Sequence, residues 1–438
     1  MIRPSVIALF ACGLAAPVWA QATLTLPAAI ERARAQNPDV GVAAAAEREA
    51  TRRTAQARAG YFPKVDVAES WQRGNQPVFV FSSLLAQRRF TAADFALDSL
   101  NHPDIQDNFR AAFTVEQPLF DRATVASVRS AGIGRDMAAT GRLMVEHDLA
   151  LAVTEAYGRV LAAAAARQSA AAGVDAARAD RERAGNRRDA GLVTDADVLQ
   201  LDVHLARTRE QQIRAEADEE IARAQLNQAM GEPLDTVFSL DPRPAAVGPA
   251  SVDVPALEAE AVRNRPDVKM AMLQEQLAQQ AVETARAAFL PQVAAQGGWE
   301  LNGGTWSTRA SGWVVGAVAR INVFHGFADQ ARLSEAREQE TRRALERQKA
   351  ETAVRLDVRI AAARLNAARA SEAVGRAAAD QAREGQRIVR DRYEAGVTDV
   401  SSLLRAAEAV SQAEAQEIAA QVDVLVAAAG LERAAGRP

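Results

Sequence analysis

The sequence predicts a mainly α-helical chain with a small membrane β component, built as a duplicated unit of helix, β-hairpin, very long helix, tight turn and helix. Three observations predict it. An internal repeat runs through the chain. Two proline-free stretches of nearly 70 residues keep a helical period. Four segments of about ten residues alternate apolar with polar side chains.

Composition sets the limits. The chain has 438 residues, 48% hydrophobic and 25% charged, which excludes a disordered polymer. Alanine dominates the apolar share and aromatics make up only 5%, so long, closely packed helices fit better than a thick enzyme core. The 52 basic residues against 56 acidic ones give a net charge of −4, and no basic surplus calls for nucleic acid. The single cysteine, Cys12, leaves the body without a disulfide or a thiolate metal site.

Residues 1–20 read as an export signal: Arg3, an apolar run from Val6 to Ala16, then Val18-Trp19-Ala20 with small residues at the cleavage positions. Cleavage after Ala20 leaves 51 basic against 56 acidic residues. The alternative is a lipoprotein box at Leu9-Phe10-Ala11-Cys12, with an acyl chain on Cys12. No later run approaches the ~20 uninterrupted apolar residues of a spanning helix, so a membrane crossing would be made by strands.

The repeat fixes the order of the elements. NPDV at 37–40 matches RPDV at 265–268, 228 positions on, and the same offset pairs Tyr61-Phe62-Pro63 with Phe289-Leu290-Pro291 and Trp71 with Trp299. Farther along the offset is 204, pairing Phe120 with Phe324 and Thr194-Asp195 with Thr398-Asp399, so the first copy holds about 24 extra residues between Trp71 and Phe120. The first copy spans 21–240, with strands near 64–73 and 109–119, a loop insertion at 74–108 and helices over 121–230. A Pro- and Gly-bearing linker at 241–250 leads to the second copy at 251–438, with strands near 292–302 and 312–323 and helices over 326–436.

Each element has a local cause. Leu26–Ala59 and Val254–Ala288 carry a helical pattern that stops before Pro63 and Pro291. The period then falls to two, with Val65, Val67 and Trp71 against Asp66 and Gln72, and Val293 and Trp299 against Gln296 and Glu300. Phe113 and Val115 alternate with Thr114 and Glu116, and Trp313, Val315, Ala317 and Ile321 with Arg320 and Asn322, closing two hairpins. A helix of nearly 70 residues follows each hairpin and extends about 100 Å. The turns DAGLVTDADVL at 189–199 and EAGVTDVSSLL at 394–404 end these helices at Gly191 and Gly396, with Thr194 and Thr398 placed to cap the returning helices.

Strands with one apolar and one polar face are the unit of an outer-membrane barrel, because lipid offers no partner to an open edge. Four strands cannot close alone, since the smallest such barrels need about eight, so two or more chains must pool theirs. The tryptophans beyond the signal, Trp71, Trp299, Trp306 and Trp313, all fall in or beside the hairpins, where interface girdles favour them. Phe120 and Phe324 stand with other aromatics at the strand-to-helix junctions, where an inner girdle would sit.

In order and twice over, these motifs resemble the TolC-like outer-membrane efflux proteins: the (L/V)xxP…NPDV start, the FP break, the QPLF exit at 117–120 and the paired AG(L)VT turns. The resemblance covers residues 24–436. It implies a homotrimer in outer-membrane lipid of a Gram-negative bacterium, whose strands form one twelve-stranded barrel continued by an α-helical periplasmic tunnel. It implies as partners a periplasmic adaptor (membrane fusion protein) and an inner-membrane pump, and it brings no cofactor. The function implied is a passive exit duct for small molecules, with the energy supplied by the pump.

The resemblance also points to sites. Gly191, Leu192, Val193, Thr194, Gly396, Val397 and Thr398 match the family's adaptor-contacting turns. Near a threefold axis Asp195, Asp197 and Asp399 would form rings of like charge, which attract cations and raise one another's pKa; charge favoured by the helix dipole is the plainer role of Asp195 and Asp399. Where the family's gate has two acids and a network arginine, this chain has Ser402, Arg405 and Thr398, whereas Tyr393 and Asp197 match. Asp66, Gln72, Glu116, Gln296, Glu300, Arg320 and Asn322 are candidates to face the lumen; the insertion would be an extracellular loop whose apolar FVFSSLL suggests a cap or partner contact, with an ordinary packed loop the favoured reading.

No HExxH, GxSxG or phosphate-loop pattern occurs, and His102, His147, His204 and His325 are scattered, so neither an enzyme nor a metal site is expected. Two readings compete with the efflux duct. A type I protein secretion duct shares its architecture. A periplasmic coiled-coil adaptor or scaffold would show one helical hairpin flanked by β domains, where this chain has two hairpins and paired short strands.

Overall fold

The computed structural model describes residues 23–241 and 252–437. The expected export signal, the acylation alternative at Cys12 and nearly all of the 241–250 linker lie outside them. Two compact units are present. One takes the described residues of Met1–Val40, Glu146–Leu257 and Asp357–Pro438, the other Gly41–Val145 and Glu258–Leu356.

The second unit holds the sheet. β1 (Lys64–Gly74), β2 (Gln106–Phe120), β3 (Gln292–Gly303) and β4 (Ala310–Arg320) pair antiparallel in that order, leaving β1 and β4 as edges. The register aligns Val67, Phe113, Trp299 and Trp313 in one row and Lys64, Glu116, Gln296 and Gly316 in another. Because side chains alternate along a strand, these rows lie on opposite faces. The sequence is shifted past Leu119, between Pro118 and Phe120, where a bulge accommodates the proline that cannot donate to the ladder.

Several expected boundaries move. The helical pattern at 26–59 is two helices, α1 (Leu26–Gln36) and α2 (Pro38–Arg58), since Asn37 precedes a proline and takes an extended ψ of 129°. The second copy breaks in the same way, into α7 (Val254–Asn264) and α8 (Pro266–Ala287) at Arg265, ψ 132°. Their shared PDV motif therefore marks a helix restart. The 74–108 insertion is folded rather than a loop: α3 (Pro77–Ala86), a 3-10 turn at Ala92–Phe95 and α4 (Leu97–Asn101). β4 stops at Arg320, so Ile321 and Asn322 are not strand residues; the Asn322 amide instead donates to Asp329 at 2.6 Å.

The long helices are α5 (Arg122–Asp189, 68 residues) and α9 (Ala328–Glu394, 67 residues), each contributing to both units. α6 (Asp195–Met230) and α10 (Val400–Ala435) return from them, 36 residues each, and end at left-handed Gly231 and Gly436. One 18-residue window of α5 reaches a mean hydropathy of 1.3 and 44% of it is buried, while charged residues such as Glu155 and Arg159 still interrupt every long apolar run of that stretch, as expected. The helix also approaches its neighbour closely at a glycine: a Cβ at Gly158 would stand 2.9 Å from Val422 of α10. In the first unit Leu24 bridges Leu240, and the buried Tyr157 hydroxyl lies 2.9 Å from the Leu24 carbonyl and 3.1 Å from that of Asp241.

Candidate functional site

Two places carry the residues singled out by sequence. The first is the pair of helix turns in the first unit. Gly191 and Gly396 take φ 74° and 75°, the left-handed conformation that closes a helix without steric cost only for glycine. α6 begins with a capping box: the Thr194 amide and hydroxyl donate to Asp197 at 2.9 and 2.8 Å, and the Asp197 amide donates back at 3.3 Å.

The second turn departs from expectation. Asp399, not Thr398, caps α10, its carboxylate accepting from the Ser402 amide at 2.9 Å and hydroxyl at 2.7 Å. In each turn the cap stands three residues after the left-handed glycine, so backbone geometry aligns Thr194 with Asp399 and overrides the matching TD letters. Arg405 donates to the Ser402 hydroxyl at 3.2 Å, joining Asp399, Ser402 and Arg405 in one chain. Those Ser402 bonds hold the Asp399 carboxyl below its ordinary range. Asp195 is exposed and pairs with Arg188 at 3.9 Å.

Beneath the turns, Ala184 of α5, Val198 and Leu201 of α6, Tyr393 of α9, and Val400 and Leu403 of α10 form a buried cluster. Arg187, which sequence reading missed, ties the two hairpins together. Its guanidinium donates to the Tyr393 carbonyl at 2.7 Å and lies 5.1 Å over the Tyr393 ring. A cation there satisfies a carbonyl at the C-terminus of α9 and its dipole. Burial raises the Tyr393 phenol pKa, with Arg187 opposing and Asp197 and Asp180 assisting. The only sequence signal for Arg187 was a basic residue in the last turn of a helix rich in arginine.

The second place is the sheet. Asp66, Gln72, Glu116, Gln296, Glu300 and Arg320 all fall on its polar face, and Arg110 bonds Glu300 there at 2.7 Å. Asn322 does not join them. The opposite face exposes Val67, Trp71, Trp299, Trp313 and Val315, with Trp313 78% exposed. A contiguous apolar surface of that kind is not left to water. Trp306 sits in the β3–β4 turn, edge-on to Phe109 at 6.3 Å and under Arg309 at 4.1 Å. Phe120 is exposed at the end of β2 and Phe324 in the segment between β4 and α9, Phe324 packing edge-on to Phe327 at 5.3 Å.

A sheet with one exposed apolar face, in a chain whose two longest helices run to 68 and 67 residues, fits the class of membrane duct that the sequence resembles. The chain belongs to the outer membrane efflux protein family, whose model matches residues 29–232 and 257–437. It is 30% identical over 363 residues to Protein CyaE of Bordetella pertussis, covering 80% of this chain and 71% of that one. Its fold is similar to that of the outer membrane protein VceC of Vibrio cholerae (TM-score 0.77, 18% identity, 94% of this chain and 96% of that one). It is also similar to the open-state MtrE outer membrane channel of Neisseria gonorrhoeae (TM-score 0.75, 17% identity, 94% and 89%). The protein is an outer-membrane efflux duct with a helical periplasmic extension.

Proposed function

We propose that three copies pool their sheets into one barrel and that the helices of both repeats form a periplasmic tunnel closed at the paired turns. The observation that carries this reading is the four-stranded sheet with unpaired β1 and β4 edges and one exposed apolar face. Lipid tolerates no open edge, and four strands per copy close only with other copies. Gly191, Leu192, Val193 and Thr194, with Gly396, Val397 and Thr398, are the surface offered to a periplasmic adaptor, and an inner-membrane pump supplies the energy. The cargo class is small molecules.

At the turns, Arg187 and Tyr393 take the part of the lock, holding hairpin to hairpin, while Asp195, Asp197 and Asp399 supply negative charge around the opening. The test is conductance of the purified protein in a planar bilayer. A small cation-selective current is expected, with selectivity falling in Asp195→Asn and Asp399→Asn, and opening becoming more frequent in Arg187→Ala. Unchanged selectivity removes the acids from this role; absence of any current removes the duct.

A further inference from the structure

The insertion between β1 and β2 lies over the polar face of the sheet, at the end opposite the long helices. Asn108 and Asn302 belong to that face, and both are buried, at 6% and 3% exposure, while Asp66, Thr114, Glu116 and Gln296 farther along it stay exposed. What buries them is the insertion. The Gln87 amide donates to Asn108 at 3.1 Å and to the Asp107 carbonyl at 2.8 Å, and Asn108 donates to Asn302 at 3.0 Å. Gly74 is on the same face, and a Cβ there would stand 3.8 Å from the Phe79 ring of α3.

The insertion is held firmly in this position. Arg88 adopts a left-handed φ of 54°, costly for a residue other than glycine, and its guanidinium donates to the Ser311 carbonyl at 2.9 Å. Phe81, Phe90 and Phe95 stack edge-on at 5.0 and 4.9 Å, and Asp94 bonds Thr91 at 2.7 Å. The β3–β4 turn goes the other way. Arg309 pairs with Glu69 on the apolar face at 3.0 Å, and Trp306 packs on Phe109 there. The two loops touch at Gly304, which packs against Arg89 and Gln87 of the insertion, but their tips lean to opposite faces.

α3 has no charged residue, and its only polar side chains are Ser82 and Ser83. Val80, Ser83 and Leu84 are buried, leaving Val78 (74% exposed) and Leu85 (49%) on its outer side. Between them the Ser82 hydroxyl is already spent on the Val78 carbonyl at 2.8 Å. An outer helix side carrying exposed valine and leucine around one internally bonded serine calls for cover. Lipid cannot supply it, because lipid meets the other face of the sheet.

We propose that the insertion is an inward-folded constriction at the outer mouth of the duct, in which α3 of each copy meets α3 of its symmetry mates through Val78 and Leu85. The proposal rests on the trimeric-barrel reading, and its occupant is a second copy of this chain. It places a barrier to return traffic at the external end, separate from the periplasmic turns.

The experiment uses a chain whose only native cysteine is Cys12. Thr114→Cys reports from the polar face, and intact cells are treated with a small membrane-impermeant maleimide or a bulky polymer-linked one. The expected result is weak bulky labelling of Thr114→Cys alone and a rise of about tenfold when Val78→Ser and Leu85→Ser are added or residues 77–104 are replaced by a short Gly-Ser linker. Oxidation should cross-link Leu85→Cys between copies and leave Ser307→Cys, on the opposite loop, uncross-linked. Equal bulky labelling with and without these changes, or a Leu85→Cys that stays monomeric in a trimer, overturns the constriction alone. Failure of the small reagent to reach Thr114→Cys in any variant overturns the barrel reading and the constriction with it.

Discussion

At the scale of single residues, Asp399 shows how one side chain can serve structure and charge together. Its oxygens accept from Ser402 as the cap of α10, and those bonds lower its pKa. A depressed carboxylate pKa stabilises the fold above the unfolded value and loses that contribution as the pH falls through the folded one. Wild type should therefore melt above Asp399→Ala at neutral pH, and the gap between their melting temperatures should close below about pH 4. A gap unchanged by acid would mean the cap acts through its shape rather than its charge.

At the scale of elements, Gly231 and Gly191 separate two reasons for a glycine. Both are left-handed, at φ 75° and 74°. A Cβ at Gly231 would stand 2.7 Å from the Gln36 carbonyl oxygen, whereas one at Gly191 would meet nothing within 4 Å. Gly191→Ala should cost only the conformational term, about 1 kcal/mol, and Gly231→Ala at least about 3 kcal/mol, as α1 and α6 are pushed apart. Thermal unfolding of both variants in detergent checks the ranking.

The elements also show what sequence could and could not say. Long helices and alternating strands were legible because their periods persist: α5 and α9 fall within two residues of expectation. The break at Asn37 and the α10 cap were not, since both turn on local backbone geometry that a repeat alignment does not see. α3 was hidden because a ten-residue apolar run with no polar face offers no period to distinguish helix from packed loop. At the turns, Tyr393 and Asp197 could be matched to a motif, but the contact of Arg187 with Tyr393 exists only once α5 and α9 are side by side.

At the scale of the whole molecule, the two faces of the sheet must meet different surroundings. Val314 and Val315 are neighbours in β4, 68% and 72% exposed, yet the register sends them to opposite faces. Val315→Lys should cost about 2–4 kcal/mol against lipid and deplete the protein from the outer-membrane fraction, while Val314→Lys should be inserted normally. Equal depletion of both would contradict the assignment of the faces.

The swapped caps of the two turns carry a consequence for any assembly built around them. In the first, the neutral hydroxyl of Thr194 leads and the acid, Asp197, follows three residues later; in the second, the acid Asp399 leads and the hydroxyl of Ser402 follows. Three helical residues are about 4.5 Å of rise. In the proposed trimer, six knuckles sharing one backbone shape would thus hold their cap-bonded acids at two alternating heights, with Asp195 adding a carboxylate to the first kind alone, and a ring-shaped partner would feel three-fold chemistry on a nearly six-fold frame.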